Sequence, residues 1–143
     1  MSRFAVDTSC MVAAVCAWHE RHESAAAAVD RRLRRGDRLT VAAHALVEAY
    51  AVLTRLPAPH RLAPSDAWTL LKANFVENVD VISLGADVQV RLLGRLAAGG
   101  IGGGVVYDAL IGECARQGKA ATLLTFNVRH FIPAPDSVVI EEP

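Results

Sequence analysis

The stretch Arg3-Phe4-Ala5-Val6-Asp7-Thr8-Ser9 decides how this chain folds. Its apolar residues predict a short buried strand over 3–6. The acid and the two hydroxyl residues that follow predict a turn into a helix that runs to about Trp18, with Thr8 or Ser9 as its cap. A carboxylate at the carboxyl end of a strand is a common ligand position in open α/β sheets. Asp7 is therefore a candidate site residue.

Apolar runs alternate with helical patterns along the rest of the chain. The predicted helices span 22–35, 44–56, 65–78, 86–98 and 105–117, and the predicted strands span 39–42, 79–84, 121–126 and 138–140. This alternation predicts an α/β fold, in which a parallel sheet of four or five short strands carries helices on both faces. A chain of 143 residues is expected to form a single domain, 1–143.

The composition narrows the class of protein. The net charge is zero, so any binding to nucleic acid must come from local patches. Hydrophobic residues make up 52% of the chain, yet no apolar stretch reaches the roughly 20 residues of a membrane span. The N-terminus lacks the pattern of a secretory signal, and the 3 cysteines include no CxxC pair. A cytoplasmic protein is expected, because free thiols fit a reducing compartment.

Three acidic residues interrupt apolar runs. Asp7 closes the first predicted strand, Glu48 lies within the run 45–51, and Asp108 divides 105–107 from 109–111. A buried carboxylate is costly unless a cation, a hydrogen-bond network or a metal compensates it. None of the three acids is followed within four residues by Lys or Arg. A divalent cation shared among them would compensate all three.

A polar residue, Asn127, follows the predicted strand 121–126. Asn127 and Asp7 converge if both of their strands are central and parallel, and Asp108, near the start of the helix before that strand, reaches the same edge. Glu48 joins them only if its helix packs across that edge. Carboxylate and amide oxygens are ligands typical of Mg²⁺ or Mn²⁺, whereas zinc prefers His or Cys.

Other interpretations fit the sequence less well. Cys16, His19 and His22 are spaced three apart, but the predicted helix breaks between them, which disfavours zinc. The glycine cluster 99–104 lacks the Lys-Ser/Thr of a phosphate-binding loop and is interpreted as a flexible connector. No GxSxG turn indicates a serine hydrolase, and no lysine follows a late strand as a receiver-like pocket would require. The helix dipole alone would also explain Asp108, which lies in a predicted first turn.

Four motifs occur in order over nearly the whole chain. They are Asp7-Thr8-Ser9, Leu46-Val47-Glu48-Ala49-Tyr50 with Leu53-Thr54-Arg55-Leu56-Pro57, Tyr107-Asp108-Ala109-Leu110-Ile111, and Leu124-Thr125-Phe126-Asn127 with His130-Phe131. Together they resemble the PIN-domain ribonucleases and, within that family, the VapC-type toxins of bacterial toxin–antitoxin pairs. The resemblance implies a parallel sheet flanked by helices and a Mg²⁺- or Mn²⁺-dependent cut in RNA that leaves a 5′-phosphate and a 3′-hydroxyl. It also implies neutralisation by a bound antitoxin, through which alone the protein would contact DNA.

The resemblance also implies roles for individual residues. Asp7, Glu48 and Asp108 match the acids of the family: Asp7 and Asp108 would hold the cation, and Glu48 would orient or deprotonate the attacking water. Asn127 stands where many members carry a fourth acid, which favours one firmly held metal over two. The supports of these acids would be Ser9 and Thr125. The alternative is a catalytically weak PIN-like binding module that mainly sequesters an antitoxin and supports operator regulation.

Two surfaces are further candidates. The arginine run of 31–38 could contact RNA phosphates or an antitoxin through Arg34 and Arg35, or could simply be a solvated helix face. The high apolar content, with Trp18, Trp68 and Phe75 expected near the surface, predicts a homodimer. Its interface is expected near Trp68 or within the stretch 43–56.

Overall fold

The structure is a computed structural model that describes residues 2–143. Five strands are joined by six α-helices, two in each of the first three connections. The strands are β1 (Arg3–Val6), β2 (Arg38–Ala42), β3 (Asp80–Ile82), β4 (Thr122–Leu124) and β5 (Val139–Glu141). The helices are α1 (Thr8–Val15), α2 (His22–Arg34), α3 (Ala43–Arg55), α4 (Pro64–Phe75), α5 (Ala86–Ala98) and α6 (Val105–Gln117), and a 3₁₀ turn spans Val128–Phe131.

The five strands form one parallel sheet in the order β3-β2-β1-β4-β5. The chain moves outward from β1 to β3 and then crosses back to β4. Crossovers between parallel strands are right-handed, so this reversal places α1 to α4 on one face and α5 and α6 on the other. The contacts agree, because α6 packs against β2, β3 and β4, whereas α1 and α2 pack against each other. The predicted fold class is therefore confirmed.

The reversal also creates a crevice between β1 and β4, the two adjacent strands from which the chain leaves in opposite directions. Ligands of open α/β sheets bind at such a switch point, beyond the carboxyl ends of the strands. The first residue after β1 is tied to the end of β4, because Asp7 N donates to Leu124 O at 3.1 Å. Val6 and Leu124 themselves are fully buried, so packing fixes this part of the sheet.

Some local features differ from the sequence predictions. Helix α1 ends at Val15 and not near Trp18, because Cys16 adopts an extended backbone that begins a loop. Its cap is Asp7 and not Thr8 or Ser9, since the Asp7 side chain accepts from Cys10 N. Phe75, expected near the surface, is buried in the core. None of the helices in residues 2–143 is long and apolar enough to cross a membrane.

Candidate active site

Asp7 is the most enclosed acid of the cleft. Only 2% of its surface is exposed. Its Oδ1 accepts hydrogen bonds from Ser9 Oγ at 2.6 Å and from Cys10 N at 3.0 Å. Its Oδ2 accepts from Thr125 Oγ1 at 2.5 Å. Burial raises the pKa of Asp7, and these hydrogen bonds oppose the rise because they stabilise the charged form.

Two hydroxyl side chains connect Asp7 to the segment after β4. Ser9 Oγ accepts from Phe126 N at 3.2 Å while it donates to Asp7. Thr125 Oγ1 accepts from Asn127 N at 2.9 Å while it also donates to Asp7. The orientation of the carboxylate is thus coupled to the backbone at 125–127, which also carries the Asn127 side chain into the cleft.

Glu48 lies on α3 at the side of the cleft, beside His44. The Glu48 Oε1 and His44 Nε2 atoms are 3.0 Å apart. They are close enough for an ion pair but are not aligned as a hydrogen bond, and neither atom has another partner. Burial is the main cause that raises the pKa of Glu48; His44 opposes this, and Asp108 and Asp7 add to it. The His44 ring stacks on Tyr107, with centroids 5.1 Å apart.

Asp108 lies in the first turn of α6, opposite a second histidine. Its Oδ2 is 3.0 Å from His130 Nδ1. Burial raises the pKa of Asp108, and the neighbouring histidine counteracts that rise. Because Asp108 also contributes to the raised pKa of Asp7, the two acids interact electrostatically across the cleft.

Three buried side-chain atoms in the described residues 2–143 have no hydrogen-bond partner, and all three belong to this region. They are Thr8 Oγ1, His44 Nε2 and Glu48 Oε1. In these side-chain positions the structure of residues 2–143 contains no group of three His, Cys, Asp or Glu that could hold a metal ion. Glu48 and Asp108 each approach a histidine instead of a third acid. Unpaired buried polar atoms are rare and call for a water or an ion.

The cleft around these residues has a volume of about 760 Å³. Asp7, Glu48, Asp108 and Asn127 all line it. Its other wall is the loop after α1, where His19 and Arg21 contribute. The Arg21 guanidinium lies 4.9 Å from the centroid of the Phe126 ring. The cleft is large enough for a nucleotide and contains both acidic and basic side chains.

The structure brings together all six residues predicted for the acidic site, which are Asp7, Ser9, Glu48, Asp108, Thr125 and Asn127. His44 and His130 were not predicted for the site from the sequence. For His44 a signal existed, because it precedes Glu48 by four residues on one helix and so shares its face. For His130 the signal was weaker, since only the turn after Asn127 brings its ring to Asp108.

The arginine pair lies elsewhere, and two of the possible zinc ligands are engaged locally. Arg34 and Arg35 precede β2 at the amino edge of the sheet, opposite the acids. Each is engaged locally, Arg34 with Asp30 at 2.8 Å and Arg35 with Asp37 at 2.6 Å. The structure thus does not bring them to the cleft. In the other group, His19 Nδ1 accepts from Arg21 N, and His22 Nδ1 lies 2.9 Å from Ala13 O.

A parallel sheet with three acids in the cleft at its switch point fits a nuclease, and comparison with known proteins agrees. The PIN domain family model matches residues 4–133. The chain is 42% identical over 125 residues to Ribonuclease VapC40 of Mycobacterium tuberculosis, and the alignment covers 87% of each protein. The chain therefore belongs to the PIN domain family and, within it, to the VapC-type ribonucleases.

Solved structures of low sequence identity share the fold. VapC20 of Mycobacterium tuberculosis, a toxin that cleaves the sarcin–ricin loop, has a TM-score of 0.70 at 19% identity, over 94% of this chain and 98% of that one. The VapBC2 complex of Rickettsia felis, bound to a DNA fragment from its promoter, has a TM-score of 0.69 at 19% identity. That match covers 99% of this chain and 98% of the other.

Proposed function

We propose that this chain is the toxin of a toxin–antitoxin pair and cleaves RNA internally with the help of Mg²⁺ or Mn²⁺. The observation that carries the proposal is the convergence of Asp7, Glu48 and Asp108 on one cleft. Glu48 Oε1 contacts only His44 Nε2, at 3.0 Å and without the alignment of a hydrogen bond. A buried carboxylate with so little compensation is suited to bind a cation or a reacting water.

The chemistry of these side chains fits a hard divalent cation once Glu48 and Asp108 turn away from their histidines. Asp7, Glu48 and Asp108 supply carboxylate oxygens, and Asn127 adds an amide oxygen. Burial raises the pKa of all three acids, so a bound cation would relieve a cost that the cleft now carries. When bound, such an ion polarises a phosphoryl oxygen and lowers the pKa of a coordinated water.

The side chains of the cleft have separate roles in the reaction. Asp7 is held rigidly by Ser9 and Thr125, so it fixes the negative charge at the switch point. Glu48 Oε1 is available to accept a proton from the attacking water. The water oxygen then bonds to phosphorus, the bond from phosphorus to the 3′-oxygen breaks, and solvent protonates that oxygen. The products are a 5′-phosphate and a 3′-hydroxyl.

The proposed partner is a cognate antitoxin protein. Solved structures that share this fold include a VapBC complex bound to promoter DNA, which supports an antitoxin that contacts DNA on behalf of both chains. A homodimer is also proposed, through the exposed apolar residues Val47 and Tyr50 of α3 and Trp68 of α4. Helices α3 and α4 contact each other, so these residues belong to neighbouring elements. The basic pair Arg34 and Arg35 remains a candidate antitoxin contact.

The test compares RNA cleavage by the parent and by Asp108→Asn in Mn²⁺ and in EDTA. Asp87→Asn is the matched control, because Asp87 also lies in the first turn of a helix but outside the cleft. The parent and the control should cleave RNA in Mn²⁺ but not in EDTA. Asp108→Asn should be inactive, and Glu48→Gln should lose about 10²- to 10⁴-fold, the usual contribution of a general base.

The same assay addresses the alternative, a weak binding module. A parent that binds the antitoxin but cleaves no more RNA in Mn²⁺ than Asp108→Asn does would reject the nuclease and favour that module. The amide of Asn127 is the feature that prompts this alternative. An Asn127→Asp variant that gains cleavage would show that the missing fourth acid limits the rate.

A further inference from the structure

An aromatic stack lies beside the cleft and has no part in the acidic site. Trp18 and His60 stack with ring centroids 4.1 Å apart and planes inclined by 21°. Trp18 nevertheless leaves 48% of its surface exposed. It belongs to the loop between α1 and α2, whereas His60 belongs to the loop between α3 and α4. The stack therefore joins two loops at the surface and not two elements of the core.

The stack continues the wall of the cleft. His19, which follows Trp18, lines the cleft, and its ring centroid lies 5.7 Å from that of Trp18. On the opposite side Val52 of α3 lines the cleft, one turn beyond Glu48. The loop that carries His60 is folded back onto α3, since Leu62 N donates to Leu53 O at 3.0 Å. The stack thus lies at the end of the cleft formed by α3 and the loop after α1.

Two cations border the same loop. Arg55 ends α3 and is exposed, and Arg61 follows His60. Arg61 Nε donates to Leu56 O at 2.8 Å, which holds its guanidinium beside the loop. Within residues 2–143 neither arginine makes an ion pair. The arginines at 32, 34, 35 and 38, by contrast, are all paired with acids.

We infer that Trp18, held by His60, stacks on an unpaired base of the RNA substrate while Arg55 and Arg61 contact flanking phosphates. The inference rests on the proposed ribonuclease function and adds a determinant of substrate choice. Exposed aromatic rings beside unpaired cations are the usual means of binding single-stranded nucleic acid. In a duplex the bases are not free to stack on protein, so the base on Trp18 would belong to a single-stranded or looped part of the RNA.

Binding of a labelled single-stranded RNA in EDTA tests the inference, because cleavage is then absent. Trp18→Ala should weaken binding by about 5- to 100-fold, and Trp18→Phe should recover most of it. Leu33→Ala is the matched control, since Leu33 is 47% exposed but lies on α2, away from the cleft. Arg61→Gln should reduce the slope of log affinity against log salt by about 0.7.

Abasic RNA provides a test that needs no Trp18→Ala protein. The test uses a set of oligonucleotides that each carry one abasic position at a different place. One of these positions should weaken binding to the parent. In a Trp68→Phe protein, where Trp18 is the remaining tryptophan, the intact RNA should quench its fluorescence and that abasic RNA should not. Equal binding of every abasic RNA, with no quenching, would overturn the inference.

Cleavage in Mn²⁺ separates the two proposals. If the parent cleaves RNA and folded Trp18→Ala cleaves and binds equally well, only the stacking inference is wrong. If the parent neither binds nor cleaves RNA, the proposed function fails and the inference fails with it. A Trp18→Ala protein that binds RNA normally but binds antitoxin weakly would assign the stack to the protein partner and would overturn the inference as well.

Discussion

Thr125 Oγ1 donates a 2.5 Å hydrogen bond to Asp7 Oδ2 across a separation of 118 residues. It joins the end of β4 to the first residue after β1, at the switch point of the sheet. Both residues are buried, so the bond stabilises a charge that burial otherwise disfavours. This contact therefore ties the acid of the site directly to the end of β4.

Removal of this contact should destabilise the protein. Thr125→Val keeps the shape of the side chain but withdraws the donor from a buried carboxylate. The free energy of unfolding in urea should fall by about 1.5–3 kcal/mol, the usual range for hydrogen bonds to charged groups. Thr69→Val is the control, because the Thr69 hydroxyl bonds only to Ser65 O on an exposed helix face. Equal losses in the two variants would show that Asp7 does not need this donor.

Replacement of Asp7 should trade activity for stability. Burial raises the pKa of Asp7 in the folded state. The stability that a group with a raised pKa contributes to the folded state is fully present below the unfolded pKa of about 3.9. It is lost as the pH rises through the folded pKa. Asn does not titrate and still caps α1. Asp7→Asn should therefore abolish cleavage. In EDTA, the melting temperature of Asp7→Asn minus that of the parent should be larger at pH 7 than at pH 4.

The size of that gain follows from linkage, at about 1.4 kcal/mol for each pKa unit of relieved shift. An inactive Asp7→Asn protein that melts below the parent at pH 7 would instead identify Asp7 as mainly a structural cap. That result would count against the proposal that the three acids bind a cation.

A second pH dependence comes from Glu113, a buried acid outside the cleft. Its Oε1 accepts from Arg116 Nε at 3.0 Å, and this hydrogen bond lowers the pKa of Glu113. A group with a lowered pKa contributes stability to the folded state above its unfolded pKa of about 4.3. This contribution is lost as the pH falls through the folded pKa. Glu113→Gln should cost about 1 kcal/mol at pH 7.

Urea unfolding as a function of pH measures this effect. The parent and Glu113→Gln should converge in stability as the pH falls below about 4. The exposed Glu77→Gln is the control and should follow the parent throughout. Curves for the parent and Glu113→Gln that stay parallel down to acidic pH would show that the Arg116 contact does not depend on the charge.

The proposed homodimer predicts a mass in solution. Light scattering of the antitoxin-free protein at micromolar concentration should give twice the 15.3 kDa of one chain. Val47→Glu should shift that mass to the monomer, because Val47 is 67% exposed within the proposed α3 interface. Val90→Glu is the control, since Val90 is 69% exposed on α5. A parent mass near 15.3 kDa would contradict the dimer.

The sequence predicted the sheet well because the strand signals are local. The run Phe4–Val6 is apolar and buried, and an acid follows it at once, so both the strand and the position of Asp7 could be inferred. The same logic placed Asn127 after β4. The end of α1 was harder, because residues 16–18 are as apolar as the helix and only the extended backbone at Cys16 ends it.

The approach of Glu48 to the cleft and the contact of His130 with Asp108 could not be inferred in the same way. Glu48 reaches the cleft only because α3 packs beside α1 and α6, which is a tertiary contact. His130 reaches Asp108 only through the 3₁₀ turn after Asn127. Side-chain orientation across separate elements depends on packing, and periodicity within one element carries no information about it.

Manganese binding measured by electron paramagnetic resonance tests most directly whether the acids act together. One Mn²⁺ should bind tightly to the parent and to Asp87→Asn, and Asp7→Asn, Glu48→Gln and Asp108→Asn should each weaken that binding by more than about tenfold, as expected for the loss of a ligand charge. If the parent takes up no Mn²⁺, or if all three variants bind it as the parent does, the acids do not share a cation and the account is wrong.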